Sequence, residues 1–144
     1  MMNYDLSRFL KAQKLDYETA LAEIRAGRKR SHWIWFIFPQ LKGLGFSAMA
    51  DYYGIDGIGE AKAYMEDPVL SARLVEISEA LLTLQSSDPR AVMGSPDDMK
   101  LRSCMTLFHA AAPEVAVFPK VLEKFFGGEE DEITLRMLNA EGGK

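Results

Sequence analysis

The residues best suited to chemistry lie in one aromatic segment, residues 31–47 (SHWIWFIFPQLKGLGFS). Indole and phenyl faces stack on planar ligands, while His and Gln side chains make directional hydrogen bonds. An apolar body with a few polar tips suits a small-molecule pocket, although the same aromatics also suit a packed core. We predict that this segment contacts a ligand and keep core packing as the alternative. The candidate ligand-binding residues are His32, Trp33, Trp35, Phe36 and Gln40.

Two carboxylates are the candidates for catalysis. Glu60 stands at the start of a predicted helix, four residues before Tyr64, and Asp131 follows the Gly127-Gly128 turn. A carboxylate at either place can orient a ribose hydroxyl or act as an acid or base. Acidic residues are also favoured at helix starts by the helix dipole and by capping alone. The sequence leaves both roles open for Glu60 and Asp131.

Cations supply two further candidates. Lys100 shares a helix face with Ser103 and Thr106 in a mixed polar and apolar stripe, so it is a candidate ligand contact or part of a solvated face. Residues 25–30 carry four cations, which can hold a phosphate but are also what a helix C-terminus favours. The second interpretation is preferred for this cluster of Arg25, Arg28, Lys29 and Arg30.

The residue inventory excludes several common chemistries. Cys104 is the single cysteine, and His32 and His109 are the two histidines, so no metal site is expected. The sequence has neither a P-loop nor a dinucleotide fingerprint, and no cofactor is expected. Cys104 and His109 fall in one predicted helix without a nucleophile elbow, which favours an inert buried thiol.

Length and charge bound the class of protein. The chain has 144 residues, 48% of them hydrophobic, and a net charge of -4. These values predict a single globular domain over residues 1–138 with a flexible tail over 139–144, and they disfavour nucleic acid as a partner. A single cysteine suits a reducing compartment, and no apolar run approaches the roughly 20 residues of a membrane span. We therefore expect a cytoplasmic protein with no membrane association, while a protein partner stays unknown.

Start and stop signals predict a mainly α fold. Asp67-Pro68 and Ser95-Pro96 each combine a capping side chain with proline at the first helical position, and Ser47 caps a short helix. Asp16 is predicted to cap a second helix, so that the chain begins with a helical hairpin or a kinked helix. No pair of alternating strands joined by a tight turn is present. The expected fold is a single compact helical domain, with at most a short strand near residues 33–38.

The same segments resemble a known family. The chain looks like the bacterial domain-of-unknown-function family once mislabelled calpastatin, over nearly its whole length. The matching motifs are His32 to Gln40, Gly43-Leu44-Gly45 with Ser47, Glu60-Ala61 with Tyr64, Pro68 with Leu70, Arg73 and Leu74, and Asp98 to Phe108. That family implies no established reaction.

A more distant resemblance implies a chemistry. The order of an aromatic run, a Glu-Ala helix, a Met-containing helix and a Lys-Phe helix before a Gly-Asp loop is similar to the NADAR domain of ADP-ribose-related N-glycosidases. That family is mainly α and cleaves N-glycosidic bonds without a metal. Its helix-start glutamate would correspond to Glu60, and the aspartate after its glycine loop to Asp131.

Two functions therefore remain open. The first is binding, or hydrolysis of the N-glycosidic bond, of a nucleotide-like ligand derived from ADP-ribose, with Glu60 and Asp131 as the catalytic carboxylates. The second is a non-catalytic ligand-binding or protein-interaction module that uses the aromatic residues 31–47. Convergence of the carboxylates and the indoles on one cleft would favour the enzyme.

Overall fold

The computed structural model describes residues 4–142, and that part of the chain folds into nine α-helices with no β-strand. The mainly α, single-domain prediction is confirmed. In chain order the helices are α1 (Ser7–Arg25), α2 (Ile34–Ile37), α3 (Ala48–Tyr52), α4 (Gly57–Glu66), α5 (Pro68–Leu82), α6 (Pro89–Met93), α7 (Asp97–Ala111), α8 (Val117–Phe126) and α9 (Glu132–Gly142).

Helix α7 forms the centre of the domain. It packs against α4, α6, α8 and α9, while α5 joins α1 to α8 on the other side. Because α7 is surrounded by other helices, polar as well as apolar side chains of this helix are buried, among them Ser103 and Thr106. The side chains of α7 that are completely buried are Leu101, Cys104, Met105, Thr106, Leu107 and Phe108. Burial raises the pKa of the Cys104 thiol well above its ordinary value, as expected for an inert cysteine.

Local capping accounts for several helix starts. The Asp67 carboxylate accepts hydrogen bonds from the N–H groups of Val69 and Leu70, each at 2.9 Å, and Pro68 follows at the first helical position. Ser47 accepts from the N–H of Ala50 in the same way at the start of α3. These side chains satisfy donors that have no partner inside a helix.

Two predictions of helix starts were wrong. Ser95 does not cap α7, whose N-cap position is Pro96 and which has no side-chain cap hydrogen bond. Asp16 does not begin a second helix, because α1 runs without a break from Ser7 to Arg25 and buries Gln13 and Tyr17 on one face. Residues 34–37, where at most a short strand was expected, form a helical turn, α2. Between residues 4 and 142, the nearest approach to sheet pairing is a single parallel bridge between Leu41 and Ile55.

The C-terminal boundary also differs from the sequence prediction. Helix α9 continues to Gly142, so residues 139–142 of the expected tail are helical. Glu141 accepts a hydrogen bond from the N–H of Ile58, at 2.9 Å, which attaches the end of α9 to the start of α4. Residues 143–144 lie outside the described part of the chain.

Candidate functional site

Two tryptophans at the start of α2 occupy contrasting environments. Trp33 is 1% exposed, and its Nε1–H donates to the Glu23 carboxylate at 2.9 Å. Trp35 is partly exposed, yet its Nε1 atom is buried and has no hydrogen-bond partner among the described residues. A buried donor without a partner costs free energy, so Trp35 leaves an unfilled hydrogen-bonding position that Trp33 does not.

Glu23 fixes the loop between α1 and α2. Its carboxylate accepts from the N–H groups of Arg30 and Ser31, from the Ser31 hydroxyl and from the Trp33 indole. Burial opposes ionisation of Glu23, but the hydrogen bonds from Ser31, Arg30 and Trp33 outweigh it and lower its pKa from 4.5 to about 2. The fold therefore holds the Trp33 ring in place, and its single N–H is already used in the hydrogen bond to Glu23.

Trp35 forms one wall of a small, partly open cavity, called here the Trp35 cavity. Lys100 lies over the Trp35 ring, with its Nζ atom 5.4 Å from the ring centroid, a cation–π geometry. The cavity measures about 10 Å³, which is room for about one water molecule. Three of the predicted ligand-binding residues therefore meet at one place. The full lining is Ile34, Trp35, Phe38, Gln40, Ala50, Tyr53, Gly54 and Lys100.

A loop of residues 42–54, which contains α3, covers the Trp35 cavity. Its two ends are joined by hydrogen bonds from Lys42 N–H to the Ile55 carbonyl and from Ile55 N–H to the Gln40 carbonyl, both 2.9 Å. A side chain at Gly54 would place its Cβ 2.6 Å from the Cα of Lys42, so glycine permits this close approach. Short connection of the ends and a compact body make the segment an Ω-loop.

The 42–54 loop exposes large apolar side chains to solvent. Phe46 is 99% exposed and Tyr52 is 60% exposed. The other aromatic residues of the 31–47 segment are buried or partly buried. The protein-interaction alternative would need an exposed, flat aromatic patch. In this segment the exposed aromatic surface is limited to Phe46 and the neighbouring side chains of α3.

An ion-pair network connects the two tryptophans. The Asp97 carboxylate lies 2.8 Å from Lys29 Nζ and 3.5 Å from Lys100 Nζ. Lys29 in turn lies over the Trp33 ring, 5.0 Å from its centroid. One carboxylate thus separates the two ammonium groups, and each ammonium faces one indole.

Glu60 is held by structural contacts. It is 3% exposed, and its two oxygens accept from both terminal nitrogens of Arg8, each at 3.1 Å, in a bidentate pair. The N–H of Asp56 donates to Glu60 as well, at 2.7 Å. Arg8 also donates to the carbonyls of Asp5, Tyr52 and Gly54. Glu60 therefore attaches α1 and α4 to the end of the 42–54 loop.

Asp131 has the contacts of a helix cap. Its carboxylate accepts from the N–H and the hydroxyl of Thr134, at 2.9 and 2.6 Å, at the start of α9. Its own N–H donates to the Thr106 hydroxyl of α7 at 2.8 Å. Neither Asp131 nor Glu60 lines the Trp35 cavity. The structure does not bring the two predicted catalytic carboxylates together with the indoles.

The other predicted ligand-binding residues lie outside the cavity. His32 is exposed, and Trp33 is bound to Glu23. Phe36 is 4% exposed and packs on the Tyr53 ring, with 5.2 Å between ring centroids. Sequence reasoning missed the contributions of Tyr53 and Asp97. Asp97 was detectable as an acid three residues before Lys100, whereas nothing local indicates that Tyr53 covers the cavity.

A wider cleft of about 740 Å³ runs along α5 but is less suited to be the site. It is open to solvent, and its three acidic side chains are Glu76, Glu79 and Glu114. Glu76 already accepts a hydrogen bond from the Tyr17 hydroxyl. The cleft along α5 is the larger of the two. The Trp35 cavity is better suited to specific binding, because Gln40 and Lys100 line it together with Trp35, whose buried N–H has no partner among the described residues.

The described residues hold no group of three His, Cys, Asp or Glu side chains arranged to bind a metal ion. Over the same residues, no helix combines the length and the apolar character needed to cross a bilayer.

Fold and site together define a small helical protein with a small cavity lined by one indole. Residues 3–138 match the family described as "Protein of unknown function (DUF1810)", and the chain belongs to that family. The crystal structure of the conserved hypothetical protein Rv1873 from Mycobacterium tuberculosis is similar, with 44% sequence identity and a TM-score of 0.92. The similarity covers 94% of this chain and 96% of that one. No curated protein matches the chain.

Proposed function

We propose that the protein binds a small ligand with a planar ring, of nucleotide-like character, at the Trp35 cavity. Two observations carry the proposal: Trp35, Gln40 and Lys100 line one cavity, and the buried Nε1–H of the same Trp35 has no partner among the described residues. The distant resemblance to NADAR domains supports a nucleotide-like ligand. A binding function accords better with this geometry than hydrolysis, since Glu60 and Asp131 are bound to other protein groups.

Each polar group at the cavity has a role towards such a ligand. The indole N–H of Trp35 donates to a ring nitrogen or carbonyl, and the Gln40 amide both donates and accepts. The Lys100 ammonium attracts an electron-rich or anionic group. Apolar contact comes from Ile34 and Phe38 on one side and from Ala50 and Tyr53 on the other.

Ligand entry requires the 42–54 loop to move. The cavity has room for about one water, so a ring does not fit while Ala50 and Tyr53 stay in place. The loop is joined at its ends by two backbone hydrogen bonds, and displacement of α3 leaves that base intact. The free energy of binding is therefore reduced by the cost of opening the loop.

The test uses the two indole N–H signals in an NMR titration with adenosine, AMP and ADP-ribose. The Trp35 signal is identified by its disappearance in Trp35→Phe. We expect it to shift on binding while the Trp33 signal, fixed by Glu23, stays in place as an internal reference. Absence of any shift of the Trp35 signal with all three ligands, in folded protein, would overturn the proposal.

A charge variant tests the role of Lys100. Lys100→Met is expected to weaken binding about tenfold, a change of about 1.4 kcal/mol, because it removes the ammonium but keeps the length of the side chain. Lys62→Met is the matched control, since Lys62 is exposed on α4 and outside the cavity. Equal affinities of the two variants for the ligand would show that Lys100 does not contribute to binding.

The same samples test hydrolysis. Release of free adenine from adenosine, AMP or ADP-ribose, lost in Asp131→Asn or Glu60→Gln with the fold intact, would support an N-glycosidase. Binding without release would support the ligand-binding module. The two variants must be compared at equal folded fraction, because both residues make structural hydrogen bonds.

A further inference from the structure

A second cleft lies beside the Trp35 cavity, between the α1–α2 loop and α6. The N–H of Lys29 donates to the carbonyl of Val92 at 2.7 Å, which holds this loop against α6. The cleft measures about 390 Å³. We call it the basic cleft, and its lining residues are Arg28, Lys29, Arg90, Ala91 and Gly94.

Two guanidinium groups of the basic cleft are available to a ligand. Arg28 is exposed and makes no side-chain hydrogen bond or ion pair within the described residues. The Arg90 side chain is 76% exposed, and its Nε lies 3.7 Å from the Asp98 carboxylate, which leaves its two terminal nitrogens free. Lys29 differs, because its ammonium is bound to Asp97 and to the Ser31 carbonyl.

The basic cleft adjoins the Trp35 cavity through Asp97. Lys29, which lines the basic cleft, and Lys100, which lies over the Trp35 ring, bind the same Asp97 carboxylate. A ligand whose ring lies on Trp35 therefore has a positively charged surface next to it. The cations on that surface are Arg28, Lys29, Arg90 and Lys100, against the carboxylates of Asp97 and Asp98.

We infer that the basic cleft is a phosphate subsite, so that the preferred ligands of the Trp35 cavity are phosphorylated. Arginine binds phosphate oxygens through paired N–H donors, and two arginines facing one cleft can each supply such a pair. This inference rests on the proposed function for the ring-binding half. The cleft itself is built from different residues and can be tested without it.

The first experiment tests the basic cleft alone. Inorganic pyrophosphate is titrated against the full chain while the backbone amide signals of Ala91 and Gly94 are followed by NMR. We expect these signals to shift in the native protein and in Trp35→Phe alike. The shifts should be lost in Arg28→Gln/Arg90→Gln and kept in Arg136→Gln, an equally exposed arginine on α9. Unchanged Ala91 and Gly94 signals in the native protein would overturn the subsite.

The second experiment connects the subsite to the ring site. AMP is expected to bind about tenfold tighter than adenosine, a difference of about 1.4 kcal/mol that falls as salt is raised. In Arg28→Gln/Arg90→Gln the two affinities should become equal, with adenosine binding unchanged. Equal affinities in the native protein would contradict the subsite while leaving the proposed function standing. Failure of adenosine and AMP to shift the Trp35 indole, with pyrophosphate still bound, would instead reject the proposed function alone.

Discussion

Trp33 and Trp35 lie two residues apart beside the same helical turn, and each has a lysine over its ring, at 5.0 and 5.4 Å. They differ in what their N–H groups meet. The Trp33 N–H is bound to a carboxylate that is fixed by three further hydrogen bonds, whereas the Trp35 N–H meets none. The comparison teaches that aromatic content alone does not separate core from site. The separating property is whether the polar atom of the ring is already satisfied.

The largest expected effect tests this division between the two indoles. Trp33→Ala should lower the free energy of unfolding by about 4 kcal/mol, because it empties a fully buried site and leaves Glu23 without one donor. Trp35→Ala should cost only about 1 kcal/mol, since its side chain is partly exposed. Urea denaturation of both variants measures the difference.

Similar losses of stability in the two alanine variants would break the comparison. Should Trp33→Ala not fold, Trp33→Phe keeps an aromatic ring at this site and removes the N–H together with part of the indole volume. That variant is expected to lose about 2 kcal/mol, and Trp35→Phe about 0.5 kcal/mol or less.

Glu60, like the Trp33 N–H, already has hydrogen-bond partners in the fold. The second-largest loss of stability is expected when its partner is removed. Arg8→Met leaves the Glu60 carboxylate buried without its bidentate partner and should cost about 3 kcal/mol. Combining it with Glu60→Gln should recover part of that loss, with a coupling of about 2 kcal/mol in a double-mutant cycle. Chemical denaturation of the four proteins gives the coupling. A coupling near zero would mean that Glu60 is free for chemistry.

Local signals predicted much of the fold. Asp67-Pro68 and Ser47 form the caps expected from their sequence because capping involves residues two or three positions apart. Asp16 carried a similar signal but lies inside α1, since burial of the neighbouring Tyr17 favours a continuous helix. Asp88-Pro89 carries the same capping signal and does start a helix, α6, which is not among the predicted elements.

The site was predictable in its residue types and not in its arrangement. Trp35, Gln40 and Lys100 were selected by type, and they meet in one cavity. The pair of Arg8 with Glu60 joins residues 52 positions apart, so no spacing rule could show that this carboxylate is already bound. For the same reason, the aromatic segment could not be divided into core and site before its partners were known.

The smallest expected effect is the pH dependence of the free energy of unfolding that comes from Glu23, the hydrogen-bond partner of Trp33. The pKa of Glu23 is about 2 in the folded protein against an ordinary 4.5, so its ionised form stabilises the fold. That contribution is complete above the ordinary pKa and is lost as pH falls from 4.5 towards 2. Because Glu23 is partly exposed to solvent, we expect about 2 kcal/mol from it near neutral pH.

Glu23→Gln should therefore be about 2 kcal/mol less stable than the native protein near neutral pH, with the difference narrowing below pH 4.5. Urea denaturation at a series of pH values measures it, and Glu18→Gln on the exposed face of α1 is the matched control. A difference that does not change with pH would show that the Glu23 hydrogen bonds do not depend on its charge. The Trp35 indole should keep its NMR position in Glu23→Gln while the Trp33 indole shifts, because Glu23 binds only the latter.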